Sequence, residues 1–353
     1  MKFSCMIWPF SGTDIDPVVR LAQTAEKCDF ETVYVGDSQM IWNDVWVSLT
    51  ACALNTTRVR LGTGVTNTVT RHPAVTANAI NSLNMVSHGR AVLGVGAGDS
   101  AVRTAGLSPA RLAEIRERVQ FMRALLNGEE VDALGTPGEA GRQTWGREDR
   151  VRLVGAGAAG PVPIQLACMG PKSVRVAGEI CDGVIVDGHM GGNAEGARAT
   201  VEAAIAGAES AGRDPAKLRF IAAIDAAIDN DRRTALDKVR PTAARNIARK
   251  PWLPDTLGLE HADVVRKVSE AYKFYEHLDL TAKHRELIPD DVAMKCCIAG
   301  TPDDCVAKAE ELENAGINEI SLFITSQDEA GSRLVLERFA AEVIPRVAVA
   351  ADA

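Results

Sequence analysis

The residues best placed to do chemistry gather where apolar runs stop. Thr32–Val35 stops at Gly36-Asp37-Ser38-Gln39, and Val59–Val65 at Thr66-Asn67. Ala91–Val95 stops at Gly96-Ala97-Gly98-Asp99, Val162–Cys168 at Met169-Gly170-Pro171-Lys172, and Gly183–Val186 at Asp187-Gly188-His189. Binding sites of α/β proteins lie at the carboxyl ends of parallel strands. Pooled on that rule, Asp37, Gly64, Val65, Thr66, Asn67, Gly96, Gly98, Asp99, Cys168, Gly170, Pro171, Lys172, Gly188 and His189 line one pocket. They supply hydroxyls, amides and open backbone N–H groups, few charges, and no nucleophile–base pair. Such a set suits a bound cofactor that carries the chemistry itself.

Each of these residues also has a plainer reading. Asp37 either meets a cofactor ring, acts as a pocket base, or caps the next helix. Gly170-Pro171-Lys172-Ser173 opens a helix, so its N–H groups, dipole and ammonium make a phosphate seat or an ordinary Gly-Pro turn. His189 is either a ligand contact or a structural histidine. Cys168 is either a pocket wall or a small core residue. Arg71-His72-Pro73 either starts a surface helix or brings Arg71 or His72 to a pocket carboxylate or phosphate.

Several chemistries are excluded by context. Gly155-Ala156-Gly157-Ala158-Ala159-Gly160 matches a dinucleotide fingerprint, but Pro161 and Pro163 follow at once and no helix can start there to receive a pyrophosphate. There is no H-E-x-x-H, G-x-S-x-G or P-loop, and the six histidines never fall at metal-ligand spacing, so no metal site is expected. A net charge of −8 argues against a nucleic-acid partner. No apolar run reaches the ~18 residues of a membrane span. The eight cysteines form no C-x-x-C pair and mostly sit in apolar segments, which points to a reducing, cytoplasmic setting.

Strand-like and helical segments alternate along the chain. Lys2–Trp8, Thr32–Val35, Val59–Val65, Ala91–Val95, Val162–Cys168, Gly183–Val186, Leu218–Ala226 and Glu319–Phe323 read as strands. Each is followed by a helix: Asp16–Cys28, Asp44–Leu54, Pro73–Val86, Pro109–Leu126, Pro171–Ile180, Ala194–Ala211, Arg232–Arg249 and Ser332–Val343. Pro17, Pro73 and Pro171 stand in first turns, where a missing N–H costs nothing. Eight βα units spread over 353 residues predict an α/β protein, a single (β/α)8 TIM barrel over 1–353. The insertions fall at about 128–160, after strand 4, as a loop or small hairpin, and at about 250–297, after strand 7, mostly helical. A doubly wound open sheet is the competing architecture.

The segments LGTGVTNTVTRHPAVTA, AVLGVGAGDS and CMGPKSVRVAGEICDGVIVDG resemble the bacterial luciferase-like superfamily. The branch they resemble is that of the deazaflavin-dependent methylenetetrahydromethanopterin reductases. The resemblance implies a barrel with coenzyme F-420 at the C-terminal strand ends and a non-proline cis peptide at Gly64–Val65. It maps phosphate contacts to Gly96, Gly98 and Gly170–Lys172, and ring contacts to Asp37, Thr66 and Asn67. It implies an oxidoreductase that moves hydride between reduced coenzyme F-420 and a small organic substrate, with His189 or Asp37 delivering any proton.

A homodimer through helices carrying Val45, Val47, Leu49 and Leu54 also follows from the resemblance. One departure stands out: the pterin reductases carry a Glu near the end of strand 1, where this chain has Cys5-Met6-Ile7-Trp8. Trp8, Phe10 and Trp42 suggest either an apolar or aromatic pocket lining or packing in the core or a dimer contact. The alternatives are an FMN-dependent monooxygenase supplied by a partner reductase, and a catalytically idle flavin-binding barrel.

Overall fold

The computed structural model describes residues 1–8, 14–134, 148–248, 262–272, 281–324, 326 and 328–350. Phe10, His261 and His277, and parts of both insertions, lie outside them. Eight parallel strands pair in the order β1 (Lys2–Ile7), β2 (Thr32–Val35), β3 (Arg60–Thr63), β5 (Ala91–Gly96), β8 (Ile164–Cys168), β9 (Gly183–Asp187), β10 (Arg219–Ile228) and β12 (Glu319–Ile324). β12 pairs back onto β1, so the cycle closes as a (β/α)8 barrel. The intervening short strands are β4 (Thr66–Asn67), the pair β6 (Val131–Asp132) and β7 (Arg150–Val151), and β11 (Cys297–Gly300). The chain divides into two compact units. The first comprises Met1–Ile7, Arg20–Val33 and Cys168–Ala353; the second comprises Trp8–Val19 and Tyr34–Ala167.

In the second unit, local rules set the helices. α2 (Val45–Leu54) starts because Asp44 Oδ1 accepts from the N–H groups of Trp46 and Val47. α3 (Pro73–Val86) starts at a proline, with His72 Nδ1 accepting from Ala74 N. The expected strand Val59–Val65 is in fact interrupted. β3 ends at Thr63, a cis peptide joins Gly64 to Val65, and β4 resumes alongside the end of β5 with Thr66 opposite Val95. Gly64 N donates to Val35 O across the break.

Gly94 makes the interruption sterically possible, since a Cβ there would lie 2.1 Å from Thr63 O. The small hairpin expected in 128–160 is β6 paired antiparallel with β7. A four-residue helix, Ser100–Arg103, precedes α5 (Leu112–Leu126) and had no signature in the sequence.

In the first unit, β10 is the central strand. Its first half, Arg219–Ala223, pairs with β9, and Ile221–Ala226 pairs with β12. Beyond the stretch shared with β9, Asp225–Ile228 pairs with β11. β11 begins at the end of the segment read from sequence as a helical insertion, because the apolar run Cys296-Cys297-Ile298 passes from helix into strand without a break. The insertion is otherwise helical where described, with helices over Ala262–Ala271 and Asp290–Cys296. It builds its own core with α9 (Arg232–Ile247), through Leu236, Val239, Ile247, Val268 and Val292. α6 (Pro171–Ile180) and α8 (Ala194–Ser210) touch closely because Gly178 and Gly207 face carbonyls of the other helix.

Candidate functional site

The second unit assembles a polar cluster at the ends of β2 and β4. Asp37 is buried, and its Oδ2 accepts from Thr66 Oγ1 at 2.6 Å and from Arg71 Nη1 at 2.5 Å. Arg71 Nη2 donates to Asp44 Oδ2 at 3.1 Å, so one guanidinium spans two carboxylates. The carboxylates hold Arg71 above the ordinary guanidinium value even though burial works the other way. Asp44 thus has two tasks, capping α2 through Oδ1 and anchoring Arg71 through Oδ2.

Asn67 turns its amide oxygen onto Val69 N and Thr70 N, which fixes the chain leaving β4. Its Nδ2 is buried with no hydrogen-bond partner among the described residues, and so is Ser38 Oγ. Buried donors of this kind are normally satisfied, so two near one carboxylate cluster mark a place for a polar ligand. An open cavity of about 280 Å³ lies against the same cluster, lined by Gln39, Thr70, Arg71, Ala105 and Leu107.

The glycines after β5 serve the backbone first. A Cβ on Gly96 would come within 3.2 Å of Val65 Cγ2, and Gly98 adopts a left-handed φ of +92°. Asp99 is half exposed and ion-pairs with Arg103 at 2.9 Å. Trp8 and Trp42 stack with ring centroids 4.6 Å apart, both over Gly36, where a Cβ would collide with each indole. The histidine of Arg71-His72 turns out to be the α3 cap, with Nε2 3.0 Å from Leu134 O.

The first unit holds the remaining expected residues. At the α6 entry, the N–H groups of Met169 and Gly170 donate to Ser173 Oγ, and Pro171 has none, so these three residues offer no N–H to an anion. Cys168 is buried beside Ser173, and burial pushes its thiol up. Gly188 packs face-on against the Cys296 carbonyl. His189 stands on a one-turn helix, Gly188–Gly191, 1% exposed, with Nδ1 against the Asp187 carboxylate.

Sequence reasoning missed a buried charge cluster of this unit. Asp225 is fully buried on β10 and accepts from Asn246 Nδ2 at 2.7 Å and from Arg245 Nη2 at 3.2 Å. The Arg245 guanidinium carbon lies 4.0 Å from the Phe323 ring centroid. A lone acid inside the apolar run FIAAIDAAI was the signal that could have found it. No group of three or more His, Cys, Asp or Glu that could hold a metal occurs among the described residues. No described helix is long and apolar enough to cross a membrane.

Comparison with known proteins places these features in a family. The model of the luciferase-like monooxygenase family matches residues 1–319. A 5,10-methylenetetrahydromethanopterin reductase of Methanolobus tindarius is 33% identical over 317 residues, 86% of this chain and 90% of that protein. An F420-dependent hydroxymycolic acid dehydrogenase of Mycobacterium tuberculosis is 32% identical over 233 residues, 62% of this chain and 61% of that protein. The solved structure of a coenzyme F420-dependent tetrahydromethanopterin reductase from Methanopyrus kandleri superposes with a TM-score of 0.79 at 25% identity, covering 98% of this chain and 99% of that one. The chain therefore belongs to the luciferase-like monooxygenase family.

Proposed function

We propose that this protein is an oxidoreductase that transfers hydride between the deazaflavin coenzyme F-420 and a small organic substrate. The observation that carries the reading is the pair of buried donors, Ser38 Oγ and Asn67 Nδ2, set around the Asp37–Arg71–Thr66 cluster. A heterocycle with carbonyl and N–H edges fits that donor and acceptor set. Relatives named as F420-dependent reductases and dehydrogenases support the same assignment.

When bound, the coenzyme supplies the hydride donor or acceptor carbon. The protein's part is to hold and orient it. Asp37, fixed by Arg71 and Thr66, presents one carboxylate oxygen in a set direction, and the backbone at Gly64–Val65 supports one face of the ring. Trp8 and Trp42 exclude water beside this cluster. In the first unit, Lys172 at the α6 entry is the group we assign to a phosphate. Asp37 and His189 are the residues we assign to any proton transfer, Asp37 beside Arg71 and His189 through the nitrogen not turned to Asp187. A pterin is not the proposed substrate, because β1 (KFSCMI) ends without a carboxylate.

The deciding experiment is a fluorescence titration of the purified protein with coenzyme F-420 and, separately, with FMN at matched salt. Tighter binding of the deazaflavin supports hydride transfer. The opposite preference overturns it in favour of a monooxygenase fed by a partner reductase.

We also propose a homodimer. Val47 and Leu54 on α2 and Val75 and Met85 on α3 are exposed, whereas Val45 and Leu49 are core residues. Sedimentation analysis of the wild type and of Val47→Glu tests this, with a shift from dimer to monomer expected in the variant.

A further inference from the structure

We propose that Arg245 is the residue by which this protein selects a substrate carrying an oxyanion, a carboxylate or a phosphate group. The proposal rests on the oxidoreductase reading, for which it names the substrate class. Arg245 stands in the last turn of α9 and reaches the C-terminal half of β10, the part of a (β/α)8 strand where substrates are met. Asp187 ends β9, Phe323 is the penultimate residue of β12, and both belong to the same unit.

The guanidinium is fixed before any ligand arrives. Its central carbon lies over the Phe323 ring, and Nη2 lies 3.2 and 3.4 Å from the two carboxylate oxygens of Asp225. Fixing a long cationic side chain ordinarily consumes rotamer entropy, and here that cost is already met by the fold. Nη1 and Nε, with three N–H donors between them, have no hydrogen-bond partner among the described residues. The side chain is 19% exposed, so these donors are reachable from solvent.

The neighbouring acids do not use up the charge. Asp225 is shared with Asn246 Nδ2 at 2.7 Å, and Asp187 faces His189 Nδ1. A guanidinium that cannot lose its proton, and whose remaining donors are open to a ligand, binds an oxyanion about twice as strongly as a neutral carbonyl. The group recognised is therefore the anionic end of a substrate.

The test is calorimetric titration of the full chain, with and without coenzyme F-420, using benzoate, phenyl phosphate and neutral benzyl alcohol as probes. At least tenfold tighter binding of benzoate or phenyl phosphate than of benzyl alcohol is expected, and the two acids distinguish carboxylate from phosphate. Arg245→Met should bring the anions to parity with the alcohol while coenzyme affinity stays within twofold. Parity in the wild type, or an unchanged preference in R245M, overturns the proposal.

If R245M does not fold, Arg245→Lys carries the test. It keeps the charge but loses the forked guanidinium donors over Phe323, so a loss of at least threefold is expected and an unchanged preference overturns it. Failure of the coenzyme to bind while the Arg245-dependent anion preference persists would sink the oxidoreductase reading alone.

Discussion

Asp37 in the second unit and Asp225 in the first are both buried aspartates facing an arginine, yet the two arginines end differently. Arg71 spends Nη1 on Asp37 and Nη2 on Asp44, so it closes a structural brace. Arg245 spends Nη2 alone and sets its guanidinium carbon over an aromatic ring. Asp37 leans on its arginine for charge compensation, with the Thr66 hydroxyl as a second donor. Asp225 also draws on the amide of Asn246. The same ion pair thus serves as scaffold in one place and as a poised receptor in the other. What separates the roles is how many donors the surrounding chain consumes.

The largest expected effect breaks the brace. Arg71→Met leaves the Asp37 carboxylate buried without its cation and should cost about 3 kcal/mol of stability, within the range for orphaned buried charges. Urea unfolding measures it, and adding Asp37→Asn to the same chain should recover much of the loss. If R71M unfolds like the wild type, Asp37 is not held as a charged partner and the contrast collapses.

Next come two glycines, one in each unit. Gly94→Ala puts a Cβ 2.1 Å from Thr63 O, and Gly178→Ala puts one 2.0 Å from Ala204 O. Each should cost about 1–3 kcal/mol by overpacking. Only G94A should also weaken coenzyme F-420 binding, because it displaces the backbone beside Thr66. Equal losses of coenzyme affinity in both variants would show that the effect is one of global stability.

A smaller effect reads the sign of Asp225. Burial, the dominant influence, raises its pKa above the usual ~3.9, against the pull of Arg245 and Asn246. The folded chain then takes up this proton at higher pH than the unfolded chain does. The contribution to stability is full below the unfolded value and is lost as pH rises through the folded one. Stability profiles of the wild type and Asp225→Asn should therefore diverge on the alkaline side of pH ~4, with the variant flatter.

Asp304 has the opposite sign and the smallest size. Its hydrogen bonds from Arg232 hold it down at about 2. Its stabilisation is present above the unfolded value near pH ~4 and lost as pH falls through the folded one. Arg232 is more than half exposed, so Asp304→Asn should cost about 1 kcal/mol or less near neutral pH.

Much of this molecule was legible from residue types alone, where local chemistry decides. Pro73 and Pro171 fix the starts of α3 and α6, and the runs TVYV and AVLGVG have no competing helical period. The strand-end positions of Asp37, Thr66 and Asn67 followed from the same alternation. The break between Thr63 and Thr66 was not legible as a break, because LGTGVT reads as one apolar run. β11 was hidden because Cys296-Cys297-Ile298 continues the apolar pattern of the helix before it. The Asp225–Arg245 pair joins residues twenty apart, and nothing local to Arg245 marks its direction. The double duty of Asp44 likewise needs the fold, since one oxygen answers a local rule and the other a distant arginine.

The divided edge of β10 bears on modularity. Along one side the strand is hydrogen-bonded first to β9 and then, from Asp225 onward, to β11, the strand that closes the long insertion. The insertion is therefore stitched into the sheet. A chimera that exchanges this segment between relatives must cut after Gly300 to carry the seam with it. A cut at Cys296 would leave Asp225–Ile228 with unpaired amides at the very place where Asp225 holds Arg245.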